Sequence, residues 1–154
     1  MPPLLNEKFI SQVREVLDAQ LKEPVEVLYF GKQQDGDYDR NGVSADTRQL
    51  LEEVTALSPK LHLSTYDVDA DADLARQYRV DKTPTTIFAA RDEDGAITDY
   101  GIQFAGIPAG HEFSSLIHDM ILVSGRDSGL EQSTRDFLKT LEKPLHLQVF
   151  VTPT

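Results

Sequence analysis

Residues 81–104, DKTPTTIFAARDEDGAITDYGIQF, place a proline, two strand-like segments and a turn in close succession. Thr85–Phe88 and the segment from Ile97 to Phe104 are rich in β-branched and aromatic residues, which is typical of strands. Between them, Asp94-Gly95 is a turn pair, because glycine supplies the positive φ that tight hairpins require. The stretch therefore predicts two antiparallel neighbouring strands, the first of them directly preceded by Pro84.

Helix and strand patterns alternate upstream of this hairpin. Residues 25–30 are apolar at all but one position, which favours a strand covered on both faces in the centre of a sheet. Residues 61–66 alternate apolar and polar side chains, as a half-buried strand does. Four helices are predicted around these strands, and Asn6 and Ser44 are candidate caps of the first two. Their predicted core positions are Phe9, Val13, Val16, Leu17 and Leu21, then Leu50, Leu51, Val54 and Leu57, then Leu74, Ala75 and Tyr78, and finally Phe113, Leu116, Ile117, Met120 and Ile121.

This order of elements predicts an α/β fold with a mixed central sheet flanked by helices, complete within residues 1–124. Residues 125–154 open with a Gly- and Ser-containing linker and repeat the beginning of the chain, with a helix carrying Phe137, Leu138 and Leu141 and a strand from Leu145 to Val151. A lone helix and strand cannot bury their apolar faces. We therefore expect this segment to pack on the first unit or on another chain.

Composition excludes several function classes. The 154 residues carry a formal net charge of −11, which disfavours nucleic acid and membrane surfaces as partners. No apolar run approaches the ~20 residues that a membrane helix needs, and the first residues lack the basic start and apolar stretch of a secretory signal, so a cytoplasmic protein is expected. The sequence has no cysteine, which removes disulfides, thiolate catalysis and cysteine-bound metals.

Three features together carry a family resemblance: the order of elements, the proline at Thr83-Pro84, and the segment FAGIPAGHEF at residues 104–113. The chain resembles the glutaredoxin-like protein disulfide oxidoreductases with two thioredoxin folds in tandem, and the similar N-terminal domain of the flavin-dependent reductase component of alkyl hydroperoxide reductase. In that family a Val-Phe-Val-Thr-Pro-Thr strand end, found here at residues 149–154, leads into the Cys-x-x-Cys of the second unit. The resemblance implies that residues 1–124 are a thioredoxin-like unit and that residues 125–154 begin a second, truncated one.

The same resemblance places the first unit's Cys-x-x-Cys at Asn41, Gly42, Val43 and Ser44, which contain no sulfur. Neither an amide nor a hydroxyl exchanges with a disulfide, so this chain is expected to have no enzymatic activity and no cofactor, and to act as a scaffold or docking unit of a disulfide oxidoreductase. Thr83 and Pro84 match the groove position, with a cis bond between them. The implied partners are a second thioredoxin-like unit or another protein chain, including a second copy through the C-terminal strand, and a thioredoxin-reductase-like flavoprotein.

Two other functions stay open. A non-catalytic module would hold an extended peptide in the groove near Asn41–Ser44 and Pro84. A cation-regulated domain would use Asp37, Asp39 and Asn41, which fit the D-x-D-x-N-G opening of a calcium loop. Arg48 stands where such a loop needs a bidentate glutamate, so the sequence favours a solvated acidic loop, and no metal is expected.

Overall fold

The computed structural model describes residues 2–32 and 43–152. The helices are α1 Glu7–Gln20, α2 Val43–Thr55, α3 Ala72–Gln77, α4 Phe113–Gly125, preceded by the 3-10 turn Gly110–Glu112, and α5 Gln132–Lys139; the strands are β1 Val25–Gly31, β2 Leu61–Asp67, β3 Thr85–Arg91 and β4 Ile97–Ala105. Their order along the chain matches the order predicted from the sequence, except at the C-terminal end.

The four strands form one mixed sheet in the order β2-β1-β3-β4. β1 runs parallel to β2 and antiparallel to β3, and β3 and β4 are the antiparallel pair of the hairpin. All seven residues of β1 are buried, which confirms its predicted central position. The hairpin turns at Gly95, whose φ of 87° is the positive value predicted for it.

Alternate residues of the central strands supply two cores, because successive side chains of a strand point to opposite faces. Val25, Val27 and Tyr29 belong to the larger core, which also contains residues of α1, α2 and α4. Leu28 and Phe30 belong to the smaller core, which includes residues of α3. The sheet is thus covered on both faces, as the apolar sequence of β1 predicts.

One carboxylate lies inside the sheet. The Glu26 side chain is only 1% exposed, and it accepts hydrogen bonds from Ser64 Oγ at 2.5 Å and from Arg91 Nη1 at 2.6 Å. A buried charge requires such partners, because leaving a carboxylate unpaired in the interior costs about 3–5 kcal/mol. Glu26 therefore ties three strands together instead of disrupting them.

The end of α4 is joined to the segment before β1 through Ser124, which is fully buried. Its Oγ accepts from the backbone amides of Lys22 and Glu23 at 2.8 and 3.0 Å and donates to the carbonyl oxygen of Glu23 at 2.6 Å. A single hydroxyl thus satisfies three backbone groups where α1 turns into the sheet.

The two predicted helix caps have different outcomes. Asn6 caps α1 as expected, since its Oδ1 accepts from the amide of Phe9 at 2.9 Å. The cap predicted at Ser44 is wrong, because α2 already begins at Val43 and Ser44 lies in its first turn. A cap at Ser44 would make Ala45 the first helical residue, and α2 begins two residues before that.

The C-terminal segment corrects a further expectation. The predicted helix is present as α5, but residues 145–152 contain no strand, because none of the described residues pairs with their backbone. Nor does the segment pack on the rest of the chain: from Glu131 to Thr152 every residue except Arg135 is exposed, and Phe150 is 88% exposed. A β-strand needs a neighbour for its hydrogen bonds, and this chain supplies none here.

Within the described residues, no helix is both long enough and apolar enough to cross a membrane.

Candidate functional site

The predicted degenerate redox position lies at the corner between β1 and α2. Of its four residues, Asn41 and Gly42 fall outside the described part of the chain, and Val43 and Ser44 form the start of α2. Ser44 is buried. In this position a side chain would be close to the positive end of the helix dipole, which is where a thiolate would be stabilised.

Tyr29 connects the strand to this corner. Its phenol is buried, and its hydroxyl donates to the backbone carbonyl oxygen of Ser44 at 2.7 Å. The ring lies over Gly31, since a Cβ at Gly31 would approach Tyr29 Oη to 2.2 Å and Cζ to 2.6 Å. The absence of a side chain at residue 31 therefore makes room for the aromatic ring.

Two threonines add buried hydroxyls near the same end of the sheet. Thr47 is fully buried in α2, and its Oγ1 donates to the carbonyl oxygen of Val43 at 2.6 Å. Thr86 is the register partner of Tyr29 on β3, and its Oγ1 has no hydrogen-bond partner among the described residues. The polar side chains around this corner thus offer hydroxyl groups, which do not exchange with disulfides.

The predicted groove residues lie at the same edge of the sheet as this corner. Phe30 at the end of β1 pairs with Thr85 at the start of β3, so the preceding Thr83 and Pro84 lie beside the end of β1. The Thr83–Pro84 peptide bond is cis, and the carbonyl oxygen of Pro84 accepts from the amide of Gly106 at 2.8 Å. Thr83 is exposed, whereas Pro84 is buried.

The candidate cation ligands Asp37, Asp39 and Asn41 lie outside the described residues. In the part of the chain that the structure covers, no group of three His, Asp or Glu side chains is arranged to hold a metal ion.

An apolar cleft of about 330 Å³ opens beside the start of α2, and the sequence reasoning missed it. It lies between the N-terminal segment with the first turn of α1, the first two turns of α2, and the connection from β4 into α4. The residues that line it are Leu4, Leu5, Phe9, Asp46, Leu50, Ile107, Ala109, Gly110 and Phe113. The available signal was the Leu4-Leu5 pair directly before the Asn6 cap, where an apolar residue commonly packs back on its helix.

Glu53 holds the N-terminal wall of this cleft against α2. Its carboxylate accepts from the backbone amide of Leu4 at 2.9 Å and from that of Leu5 at 3.0 Å, and Gln49 Nε2 donates to it at 2.8 Å. Desolvation by burial alone would raise the pKa of Glu53, but these hydrogen bonds outweigh it and hold the pKa below its usual value. The ionised carboxylate therefore fixes Leu4 and Leu5 in place.

The sheet order, the helices on both of its faces, and the corner between β1 and α2 define a thioredoxin-like fold. Two solved structures agree with this assignment. A protein disulfide oxidoreductase from Aeropyrum pernix matches with a TM-score of 0.71 and 28% identity, covering 88% of this chain and 55% of that protein. The alkylhydroperoxide reductase protein AhpF from Enterococcus faecalis matches with a TM-score of 0.71 and 27% identity, covering 90% and 62% respectively. The expected fold is confirmed.

Sequence comparison leads to the same proteins. The AhpF protein of Staphylococcus aureus is 31% identical over 138 residues, which are 90% of this chain and 24% of that protein. The AhpF protein of Staphylococcus epidermidis is 52% identical over 54 residues. No family model matches the chain. The resemblance to tandem disulfide oxidoreductases and to the N-terminal region of AhpF is confirmed, and the chain spans about a quarter of the length of the Staphylococcus aureus relative.

Proposed function

We propose that this chain is a redox-inactive thioredoxin-like unit of a protein disulfide oxidoreductase, in which it serves as a scaffold and docking domain. Thiol–disulfide exchange would be carried by a Cys-x-x-Cys in a second unit, not by these residues. In this proposal residues 1–124 are the silent unit and residues 125–154 belong to the beginning of the second.

The observation that carries the proposal is the combination of a thioredoxin-like fold with a sequence that has no cysteine. Exchange requires a thiolate that attacks a disulfide sulfur, and hydroxyls and amides cannot replace it. Around the β1–α2 corner the structure has Tyr29, Thr47 and Thr86, whose hydroxyls are buried and partly engaged with the backbone. The site thus retains the architecture of the family without its reactive group.

The exposed apolar residues of the C-terminal segment support a partner. Leu145, Leu147, Val149, Phe150 and Val151 are all more than 60% exposed, and exposed apolar runs of this kind usually mark an interface. A second thioredoxin-like unit, or a second copy of this chain, would cover them. A thioredoxin-reductase-like flavoprotein as electron donor and a cytoplasmic location complete the proposal.

The test is insulin reduction with dithiothreitol as the reductant. The 154-residue chain should give the rate of the dithiothreitol blank, because it has no thiol to relay electrons. Turnover above the blank would overturn the assignment as a silent unit. In the same preparation, light scattering should report a species larger than the monomer, or amide exchange should be slow over residues 145–151; a monomer with fast exchange there would argue against a second copy.

A further inference from the structure

We infer that the cleft between the N-terminal segment, the start of α2 and the β4–α4 connection docks a partner protein segment that inserts an apolar side chain and places a lysine or arginine beside it. This inference rests on the docking role proposed above and names the surface that performs it. The cleft is distinct from the groove at Thr83 and Pro84, because neither residue lines it.

The insertion of an apolar side chain is inferred from the residues that line the cleft. Of the nine lining residues, all but Asp46 are apolar or glycine. Leu4 is 45% exposed although it lines the cleft, so burying it against a partner would remove apolar surface from water, which favours binding. A volume of about 330 Å³ is at the low end for small-molecule sites, ~300–1,000 Å³, and suits one or two inserted side chains.

The lysine or arginine of the partner is inferred from Asp46, which lines the cleft. Asp46 is half-buried and lines this apolar cleft, and its carboxylate forms no hydrogen bond or ion pair within the described part of the chain. A charge beside low-dielectric walls interacts more strongly with an opposite charge than it would in open water. No basic residue lines the cleft, so the partner has to supply the cation.

The surrounding charge points in the same direction. Exposed Glu7 and Glu112 lie within two residues of the lining residues Phe9 and Phe113, exposed Lys8 is adjacent to Phe9, and Arg48 near Asp46 is ion-paired with Glu52. The sign of the field therefore follows from the net charge of −11 of the chain as a whole. A field of this sign attracts basic segments and repels acidic ones. The cleft would therefore discriminate between two equally apolar partners by their charge.

The cleft is already formed before any partner arrives. Glu53 fixes the amides of Leu4 and Leu5, and the side chain of Gln49 donates to the carbonyl oxygen of Pro2 at 2.7 Å. A wall held in this way loses little conformational freedom on binding, which favours affinity. The N-terminal segment thus acts as part of the docking surface.

The inference is tested by titrating the full chain with a peptide, Gly-Ser-Leu-Phe-Arg-Leu-Ser-Gly, and recording amide spectra by NMR. We expect a dissociation constant of about 1 mM or tighter, with shifts at Leu4, Ile107 and Ala109. The same peptide with glutamate in place of arginine should bind about tenfold more weakly, and a peptide with serine in place of its apolar residues should not bind.

Two variants assign the binding to the cleft. Asp46→Asn should weaken binding of the arginine peptide about fivefold and reduce the difference in affinity between the arginine and glutamate peptides. Asp18→Asn makes the same charge change at an exposed position of α1 and should leave both affinities unchanged. Leu4→Ser should weaken both peptides. Absence of binding at about 5 mM peptide, equal affinities for the two charged peptides, or shifts confined to Thr83 would overturn the inference. None of these outcomes involves a thiol, so the insulin assay still decides the proposed redox-silent role separately.

Discussion

The hydroxyl of Tyr29 donates to the carbonyl oxygen of Ser44 at 2.7 Å and so joins the central strand to the first turn of the helix that follows it. In relatives with a reactive site, this corner is where the family resemblance places the sulfur atoms. Here a buried phenol is hydrogen-bonded to the backbone of Ser44, so a neutral hydrogen bond stabilises the described part of the corner.

This hydrogen bond should be measurable in the stability of the chain. Tyr29→Phe keeps the ring but leaves the carbonyl of Ser44 without this donor, which we expect to cost about 1 kcal/mol in the free energy of unfolding. Urea denaturation followed by circular dichroism measures the loss. Tyr100→Phe is the matched control, because Tyr100 is exposed on β4 and should leave the midpoint unchanged. Equal midpoints for Tyr29→Phe and the unmodified chain would show that the contact contributes nothing.

Placing sulfur at the corner should restore exchange chemistry. The double variant Asn41→Cys with Ser44→Cys creates a Cys-x-x-Cys whose second cysteine lies in the first turn of α2, where the helix dipole lowers a thiol pKa below about 8.5. We expect insulin reduction clearly above the dithiothreitol blank. Ser11→Cys with Arg14→Cys gives the same spacing in the middle of α1 and should stay at the blank rate. If both pairs behave alike, the corner is not a degenerate redox position.

Ser124 is expected to be among the most sensitive polar residues of the fold. Ser124→Ala removes the buried hydroxyl that bonds to the amides of Lys22 and Glu23 and to the carbonyl oxygen of Glu23, while the Glu23 amide keeps its bond to the Ser124 carbonyl oxygen at 3.2 Å. The free energy of unfolding should fall by about 1–3 kcal/mol. Thermal unfolding measures the change. Ser115→Ala, at an exposed position of the same helix, should shift the midpoint little. Because alanine is the better helix former, a Ser124→Ala variant as stable as Ser115→Ala would show that the buried hydrogen bonds of Ser124 contribute nothing.

The lowered pKa of Glu53 predicts that the contribution of Glu53 to the stability of the chain depends on pH. Because the folded-state pKa lies below the usual value of 4.5, the stabilisation by Glu53 is complete above that pH and is lost as the pH falls through the lowered pKa. Glu53→Gln should therefore be less stable than the unmodified chain at pH 7, and the difference should shrink as the pH falls below 4.5 and through the lowered pKa. Urea midpoints across this range test it.

Glu15→Gln on the exposed face of α1 is the control for this comparison, since it alters the charge without touching the N-terminal segment. A difference between Glu53→Gln and the unmodified chain that stays constant with pH would mean that Glu53 contributes through packing and not through its charge.

Much of the fold was predictable because its strands have unambiguous patterns. The apolar run of β1 indicated a central strand, and Asp94-Gly95 indicated the hairpin. The start of α2 was harder to locate, because Ser44 is a good capping residue by type but lies inside the helix. The carbonyl oxygen of Ser44 accepts instead from Tyr29, a contact across 15 residues of sequence that local preference does not describe.

The missing strand at residues 145–151 has a different cause. The sequence of this segment does alternate, with Leu145, Leu147, Val149 and Val151 on one side. Such alternation shows that the segment can form a strand beside a partner strand, but not that a partner is present. The apolar cleft was unpredictable for a related reason. Its walls come from three separate parts of the sequence, and the importance of Asp46 lies in what surrounds it, which no spacing rule describes.

The ring of Tyr29 over Gly31 limits how this corner can change during evolution. A Cβ at residue 31 would overlap the phenol, so the ring would have to move and disturb its hydrogen bond to Ser44 before a side chain could fit there. Replacement of Gly31 is therefore expected to be costly while Tyr29 is present. The two positions are expected to vary together, so that descendants with a smaller residue at 29 are the ones free to abandon glycine at 31.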